Sequence, residues 1–240
     1  MIPWDPYEVP WWLSLLILVV VWSPAPLLLW ARQARKSAVA AKCLPWAGLF
    51  SLLTGLWLAQ QHHHGEIHLA NLDRWYLALI PLLGFLLLTM VLTPYVGLRK
   101  ELSRSAVAKR LFFFLFLVGL PEELWLRGIW FAMFADEFWM SVVVGSVVFG
   151  FMHYVPGVPG SAMEATRTIL AGLVFATARY CGAGVLPLAI AHGLFNFLSL
   201  YLLEKTVPRR KDGTPGLTLP MAIVYVLGCL LLAALPFAIR

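Results

Sequence analysis

Stretches of about twenty predominantly apolar residues, the length at which an α-helix crosses a bilayer core, recur near 11–30, 43–60, 75–97, 111–134, 138–155, 167–183, 185–203 and 217–238. A chain built this way has little freedom outside a membrane. At 61% hydrophobic and 12% charged residues, with a mean hydropathy of +0.81, it is far too apolar for a soluble domain. The expectation is an all-α, polytopic membrane protein of about eight transmembrane helices around a buried polar cavity, one integral membrane domain over 1–240. The first window is interrupted by Pro24 and Pro26, and the sixth is short and rich in Ala and Gly.

Against that background the run Pro121, Glu122, Glu123, Leu124, Trp125, Leu126, Arg127 stands out, because it sets three ionisable side chains inside the fourth apolar window. An ionisable group near a bilayer centre costs about 2.5 to 3.5 kcal/mol on insertion scales, so such groups are rare, paired and functional. Glu123 and Arg127 are four apart with the acid first, the favoured order for an ion pair on one helix face. They read as a structural pair. Glu122 lies about 100° round the helix and has no base at its own i+3 or i+4 position, where Trp125 and Leu126 stand. Its partner must come from another helix. Pro121 cannot donate to the carbonyl four residues back, so the helix is expected to kink or open there, and irregular backbone in a membrane is tolerated where it lines a cavity.

The net charge of +6 is not a nucleic-acid footprint, since basic residues beside spans set orientation. Arg32, Arg35, Lys36, Lys42, Arg99, Lys100, Arg104, Lys109, Arg110, Arg167, Lys205, Arg209, Arg210 and Lys211 fall on one side of an eight-span chain, and Arg74, Arg179 and Arg240 on the other. The positive-inside rule then makes both termini extracytoplasmic. Asp5 and Glu8, with no base before the first apolar run, argue against a cleavable signal peptide. Cys43, Cys181 and Cys229 are odd in number and widely spaced, a pattern of buried small hydrophobes and not of a disulfide framework or metal cluster.

Two further helical pairs carry chemistry. Phe149 and His153 share a face at the end of the fifth window, and His192 and Asn196 share one in the middle of the seventh. At 1.5 Å rise per residue, Glu122, His192 and Asn196 come out at roughly 16, 19 and 13 Å above the cytoplasmic end of their spans, and His153 at roughly 8 Å. The first three are near-coplanar, and a cavity open to the cytoplasm brings His153 to them. His62, His63, His64, His68 and Glu66 cluster on the opposite side and read as a solvated polar loop in preference to a metal site. Trp residues at span ends, among them Trp4, Trp11, Trp12, Trp75 and Trp139, read as interfacial anchors. Ser146 with Gly150, and Gly172 with Ala176, read as close-packing sites between helices.

Glu-Glu-x-x-x-Arg at 122–127, Phe-x-x-x-His at 149–153 and His-x-x-x-Asn at 192–196, in that order on successive polar-bearing spans, resemble the CPBP family of intramembrane proteases. That family unites CAAX prenyl endopeptidases with bacterial bacteriocin-processing and immunity (ABI-type) proteins. The resemblance covers roughly 111–205, and Leu126 replaces a common aromatic before the motif arginine. It implies a glutamic-type endopeptidase in which Glu122 and His153 activate water and His192 with Asn196 stabilises the oxyanion. Glu123, Arg127 and Phe149 then form the structural shell.

The implied substrate is a membrane-associated peptide or protein precursor, the other partner is the lipid bilayer, and no nucleic acid, cofactor or metal is called for. A short chain without a large cytosolic domain points to a prokaryotic cytoplasmic membrane. Two other readings stand beside this one: a proton-coupled transporter using Glu122, His153 and His192 as a relay, and a catalytically silent membrane scaffold of the same fold. One Glu and two His also satisfy a catalytic zinc site. Against that, no His-Glu-x-x-His helix is present, the two histidines lie on separate helices, and Asn196 makes better sense as an oxyanion donor.

Overall fold

A computed structural model describes residues 11–22, 31, 38–61, 71–93, 96–98, 102–134, 137–158, 160–205 and 218–239. The histidine-rich loop at 62–68, Pro24, Pro26, Trp4 and most of the loop bases lie outside the described residues. Eight helices follow one another among the described residues: α1 (Trp11–Trp22), α2 (Ala38–Gln61), α3 (Trp75–Leu92), α4 (residues 104–133), α5 (Trp139–Met152), α6 (Ser161–Tyr180), α7 (Val185–Leu202) and α8 (Leu219–Ala238). Each apolar window overlaps one of them. The expected all-α membrane architecture holds, with one small addition, an antiparallel pair of three-residue strands, β1 (Val96–Leu98) and β2 (Leu203–Lys205).

Four helices, α2, α3, α7 and α8, are long and apolar enough to cross a membrane by length and composition. The motif helix α4 and its neighbour α6 are long but carry Glu122, Glu123 and Arg127, or Glu164, Arg167 and Arg179. α6 also begins earlier than its apolar window suggests. Its first turns hold Glu164 and Arg167, an i,i+3 pair with partly exposed side chains, so the helix there is amphipathic and a hydropathy window passes over it.

Pro121 lies between two irregular turns of α4. The helix widens to i→i+5 spacing at Leu115–Gly119, returns to α-geometry over Leu120–Glu123, and widens again at Leu124–Ile129. A proline without an N–H disturbs the regular ladder, and π-type turns are one way a helix absorbs the disturbance. Both glutamates therefore sit on the short regular turn between two widened ones.

Two apolar clusters flank that turn. One joins Leu52 and Leu58 of α2, Trp125, Ile129 and Trp130 of α4, Val142 of α5 and Ala176 of α6. The other joins Leu77 and Phe85 of α3, Phe175 and Ala178 of α6, Leu188 and Ala191 of α7 and Cys229 of α8. α6 contributes to both and runs between them. Trp125 is wholly buried, and its indole Nε1 donates to the Ser51 carbonyl at 2.9 Å, tying α4 to α2. α8 keeps Leu219, Leu227 and Leu231 exposed, a lipid-facing side.

The chain ends of the helices pair off. Arg74, before α3, donates from Nη1 to the Cys181 carbonyl after α6 at 2.7 Å, so those two connections share one end of the bundle. The β1–β2 ladder joins the connection after α3 to the end of α7, at the other end. Small residues allow the tightest contacts: a methyl on Gly172 would stand 3.1 Å from the Ser146 Cα, which brings α5 and α6 together through the very positions marked as small-residue sites. Of the cysteines, Cys181 and Cys229 are buried and Cys43 is half-buried, less enclosed than its apolar surroundings in sequence imply.

Candidate active site

The site is assembled by two helices that touch at glycine. A methyl on Gly119 of α4 would lie 2.7 Å from the Ala189 carbonyl oxygen and 2.8 Å from the Gly193 nitrogen, and one on Gly193 of α7 would lie 2.7 Å from the Phe114 carbonyl oxygen. No side chain fits between the backbones. The residues just beyond this contact, Glu122 and Glu123 on α4 and His192 on α7, are thereby carried into bonding distance.

His192 lies between both carboxylates. Its Nδ1 is 2.8 Å from Glu123 Oε1, a hydrogen bond, and its Nε2 is 3.5 Å from Glu122 Oε2, an ion-pair distance. A carboxylate accepts, so Nδ1 carries a proton. Glu123 Oε2 in turn lies 3.3 Å from Arg127 Nε, within the i,i+4 pair expected from sequence. Glu123 is therefore shared between arginine and histidine, where sequence spacing assigned it to arginine alone. Glu123, Arg127 and His192 are buried, while the Glu122 side chain keeps 12% exposure; Oε2 of each glutamate, and Arg127 Nη1, is buried without a hydrogen bond among the described residues. Glu122 is the carboxylate with room for a further partner.

The Arg127 guanidinium is enclosed by aromatic rings and one carbonyl. Its centre stands 4.8 Å from the Phe149 ring and 5.7 Å from the Phe175 ring, and Nη2 donates to the Gly172 carbonyl at 3.0 Å. Desolvated cation–π contacts of this kind contribute about 2 kcal/mol. The same two rings close over His192, Phe175 at 5.1 Å and Phe149 edge-on at 6.0 Å.

His153 sits at the end of α5, half-buried, with its ring 4.8 Å from Phe149 and perpendicular to it. Its Nδ1 is 2.9 Å from the Phe149 carbonyl. A carbonyl can only accept, so Nδ1 holds the proton and neutral His153 has its lone pair on Nε2. Phe149 thus touches His153, His192 and Arg127 together. Asn196, one turn beyond His192 on α7, is half-buried and shares its helix face.

Sequence reasoning missed three contributors. Phe175 carries no polar signal, and Gly172 reads as a packing residue although its carbonyl also receives Arg127. Arg179, counted above among the loop charges, is 7% exposed, and its Nε donates to the Arg127 carbonyl at 2.8 Å. A cation inside the apolar window at 167–183, in the last turn of α6, was the signal that could have found it.

A family model described as Type II CAAX prenyl endopeptidase Rce1-like matches residues 104–198. Residues 104–198 resemble the type II CAAX prenyl endopeptidases. The match begins at the first residue of α4 and stops just past Asn196, so it contains all three motifs and bears out the CPBP resemblance read from them, over less than half of the 240 residues. α1 to α3 and α8 fall outside it. No curated protein and no solved structure matches the chain. The description of that family names a peptidase, and the four long apolar helices support an integral membrane protein.

Proposed function

We propose that the chain is a glutamic-type intramembrane endopeptidase that hydrolyses a peptide bond of a membrane-associated protein or peptide precursor. The observation that carries this reading is His192 placed between two carboxylates, 2.8 Å from Glu123 and 3.5 Å from Glu122, inside an otherwise apolar bundle. Two carboxylates, the Arg127 guanidinium and one further proton on His192 sum to zero charge, which is how such a cluster tolerates burial. As an imidazolium, His192 is anchored by Nδ1–H to Glu123 and offers Nε2–H to the reacting group.

In this mechanism Glu122, the carboxylate with an open side, takes a proton from water as the water oxygen attacks the scissile carbonyl carbon. His153, with its lone pair on Nε2, assists Glu122 in activating that water. The tetrahedral oxyanion receives hydrogen bonds from His192 Nε2–H and the Asn196 carboxamide, a stabilisation of the kind worth about 10² to 10³ in rate. On collapse the C–N bond breaks and the proton held by Glu122 passes to the leaving amine. With Glu123 shared between Arg127 and His192, a catalytic zinc, which takes three protein ligands, would need His153 beside Glu122 and His192 Nε2, and this mechanism uses His153 as a partner in water activation instead.

The remaining expectations fit the same reading. The chain spans eight times as one membrane domain, both termini are extracytoplasmic in a prokaryotic cytoplasmic membrane, and cleavage occurs in the cytoplasmic half. The test is purified protein in detergent with a fluorogenic peptide after exhaustive chelation, beside Glu122→Gln. Full activity without bound metal, absent in the variant, is expected. Loss on chelation with recovery on Zn²⁺ would recast Glu122, His153 and His192 as ligands, and a wild-type protein that cleaves nothing would return the site to proton-coupled transport or a silent scaffold.

A further inference from the structure

Arg179 is a buried cation on α6 that no motif includes. It is 7% exposed, and its guanidinium reaches two backbone carbonyls on different elements, Arg127 of α4 through Nε at 2.8 Å and Ala183 beyond its own helix through Nη1 at 3.3 Å. Its centre also stands 5.7 Å from the ring of Phe131, one turn past Arg127 on α4. The Arg127 carbonyl belongs to the widened turn Leu124–Ile129, where the regular i→i+4 ladder is interrupted and a side-chain donor can complete the pairing.

We infer that Arg179 is a positioning residue for the reaction proposed above, a clamp that fixes the widened turn of α4 and so the direction from which Arg127 holds Glu123 and Glu123 holds His192. The inference rests on the protease reading for its kinetic consequence and on geometry alone for its structural one. The path is continuous: Arg179 Nε to the Arg127 backbone, Arg127 Nε to Glu123 at 3.3 Å, and Glu123 to His192 at 2.8 Å. A rotation of the 124–129 turn turns Arg127 with it. Misplacement by about 1 Å of a group that orients catalysis costs about 10²-fold in rate, so a clamp this far from the chemistry still registers.

Arg179 also completes the end of its own helix through Ala183, and a purely structural role would rest on that bond or on the charge. Isosteric variants separate the two. Gln at 179 places an amide N–H where Arg Nε was, Met places a methyl there, and Lys keeps the charge with its nitrogen one bond farther out. We expect Arg179→Met and Arg179→Lys to lower kcat by about 10- to 100-fold with KM within about twofold, while Arg179→Gln stays within about threefold of wild type. Hydrogen exchange of the 124–129 amides, measured on the same proteins, should rise in Met and Lys and not in Gln.

Wild-type kcat in Lys, or a Gln variant as slow as Met, overturns the clamp. If Met fails to fold, the Lys and Gln pair decides. If the wild type cleaves no peptide, the protease reading falls, and the exchange pattern still judges the clamp: unchanged exchange in Met and Lys overturns it.

Discussion

Gly119 and Gly193 meet backbone to backbone, with no room for even a methyl group on either, and this contact sets the distance between the acid-bearing helix and the histidine-bearing one. Overpacking a close contact costs about 1 to 3 kcal/mol. Gly193→Ala should therefore lower the unfolding temperature in detergent and abolish most activity, because relief of the clash moves His192 away from Glu122 and Glu123. An Ala variant with unchanged activity would mean that the two helices can separate without disturbing the site.

Glu122 and Arg127 should separate into chemical and structural roles. Arg127→Ala leaves Glu123 buried without its guanidinium partner, a loss of about 3 to 5 kcal/mol for a broken buried pair, and should reduce protein yield together with activity. Glu122→Gln keeps shape at a position with 12% side-chain exposure, so it should fold normally and lose about 10² to 10⁴ in kcat. Expression, thermal unfolding and turnover measured on both proteins check this. An unstable Glu122→Gln beside a well-behaved Arg127→Ala would exchange the two roles.

Helix content and the local pair were legible because they depend on near neighbours. Apolar runs mark α2, α3, α7 and α8, i,i+4 spacing brings Glu123 to Arg127 at 3.3 Å, and Pro121 announces the irregularity that appears as two widened turns. What spacing could not supply was anything joining distant segments. His192 lies 69 residues from Glu123, and the contact follows from Gly119 and Gly193 sitting at matching heights on two helices. The same limit hid Arg179, whose burial turns an apparent loop charge into an internal donor.

Topology gives an independent check. The connection containing Asp73 and the start of α4 at Ser105 lie at opposite ends of α3, and the excess of basic residues around α4 assigns its start to the cytoplasm. In a Cys43→Ser background, Asp73→Cys should react with an impermeant thiol reagent from outside intact cells, and Ser105→Cys only after permeabilisation. Labelling of both from one side would remove the eight-span arrangement and the extracytoplasmic termini with it.

Phe149 joins the three motifs, since its ring stands 4.8 Å from the Arg127 guanidinium, 4.8 Å from the His153 ring and 6.0 Å from the His192 ring. Its backbone carbonyl separately fixes the proton on His153 Nδ1, and that bond survives any side-chain exchange. Phe149→Leu thus removes the ring contacts alone. The lost cation–π contact is worth about 2 kcal/mol when desolvated, and the thinner side chain opens space between the two imidazoles. Stability should fall by about that amount, and kcat should fall about tenfold or more at temperatures where the variant remains folded, because His153 and His192 no longer share a rigid wall. Thermal unfolding and steady-state kinetics on the same preparation measure both effects. If stability falls while kcat holds, the ring supports Arg127 only, and the alignment of the two histidines must come from their own helices.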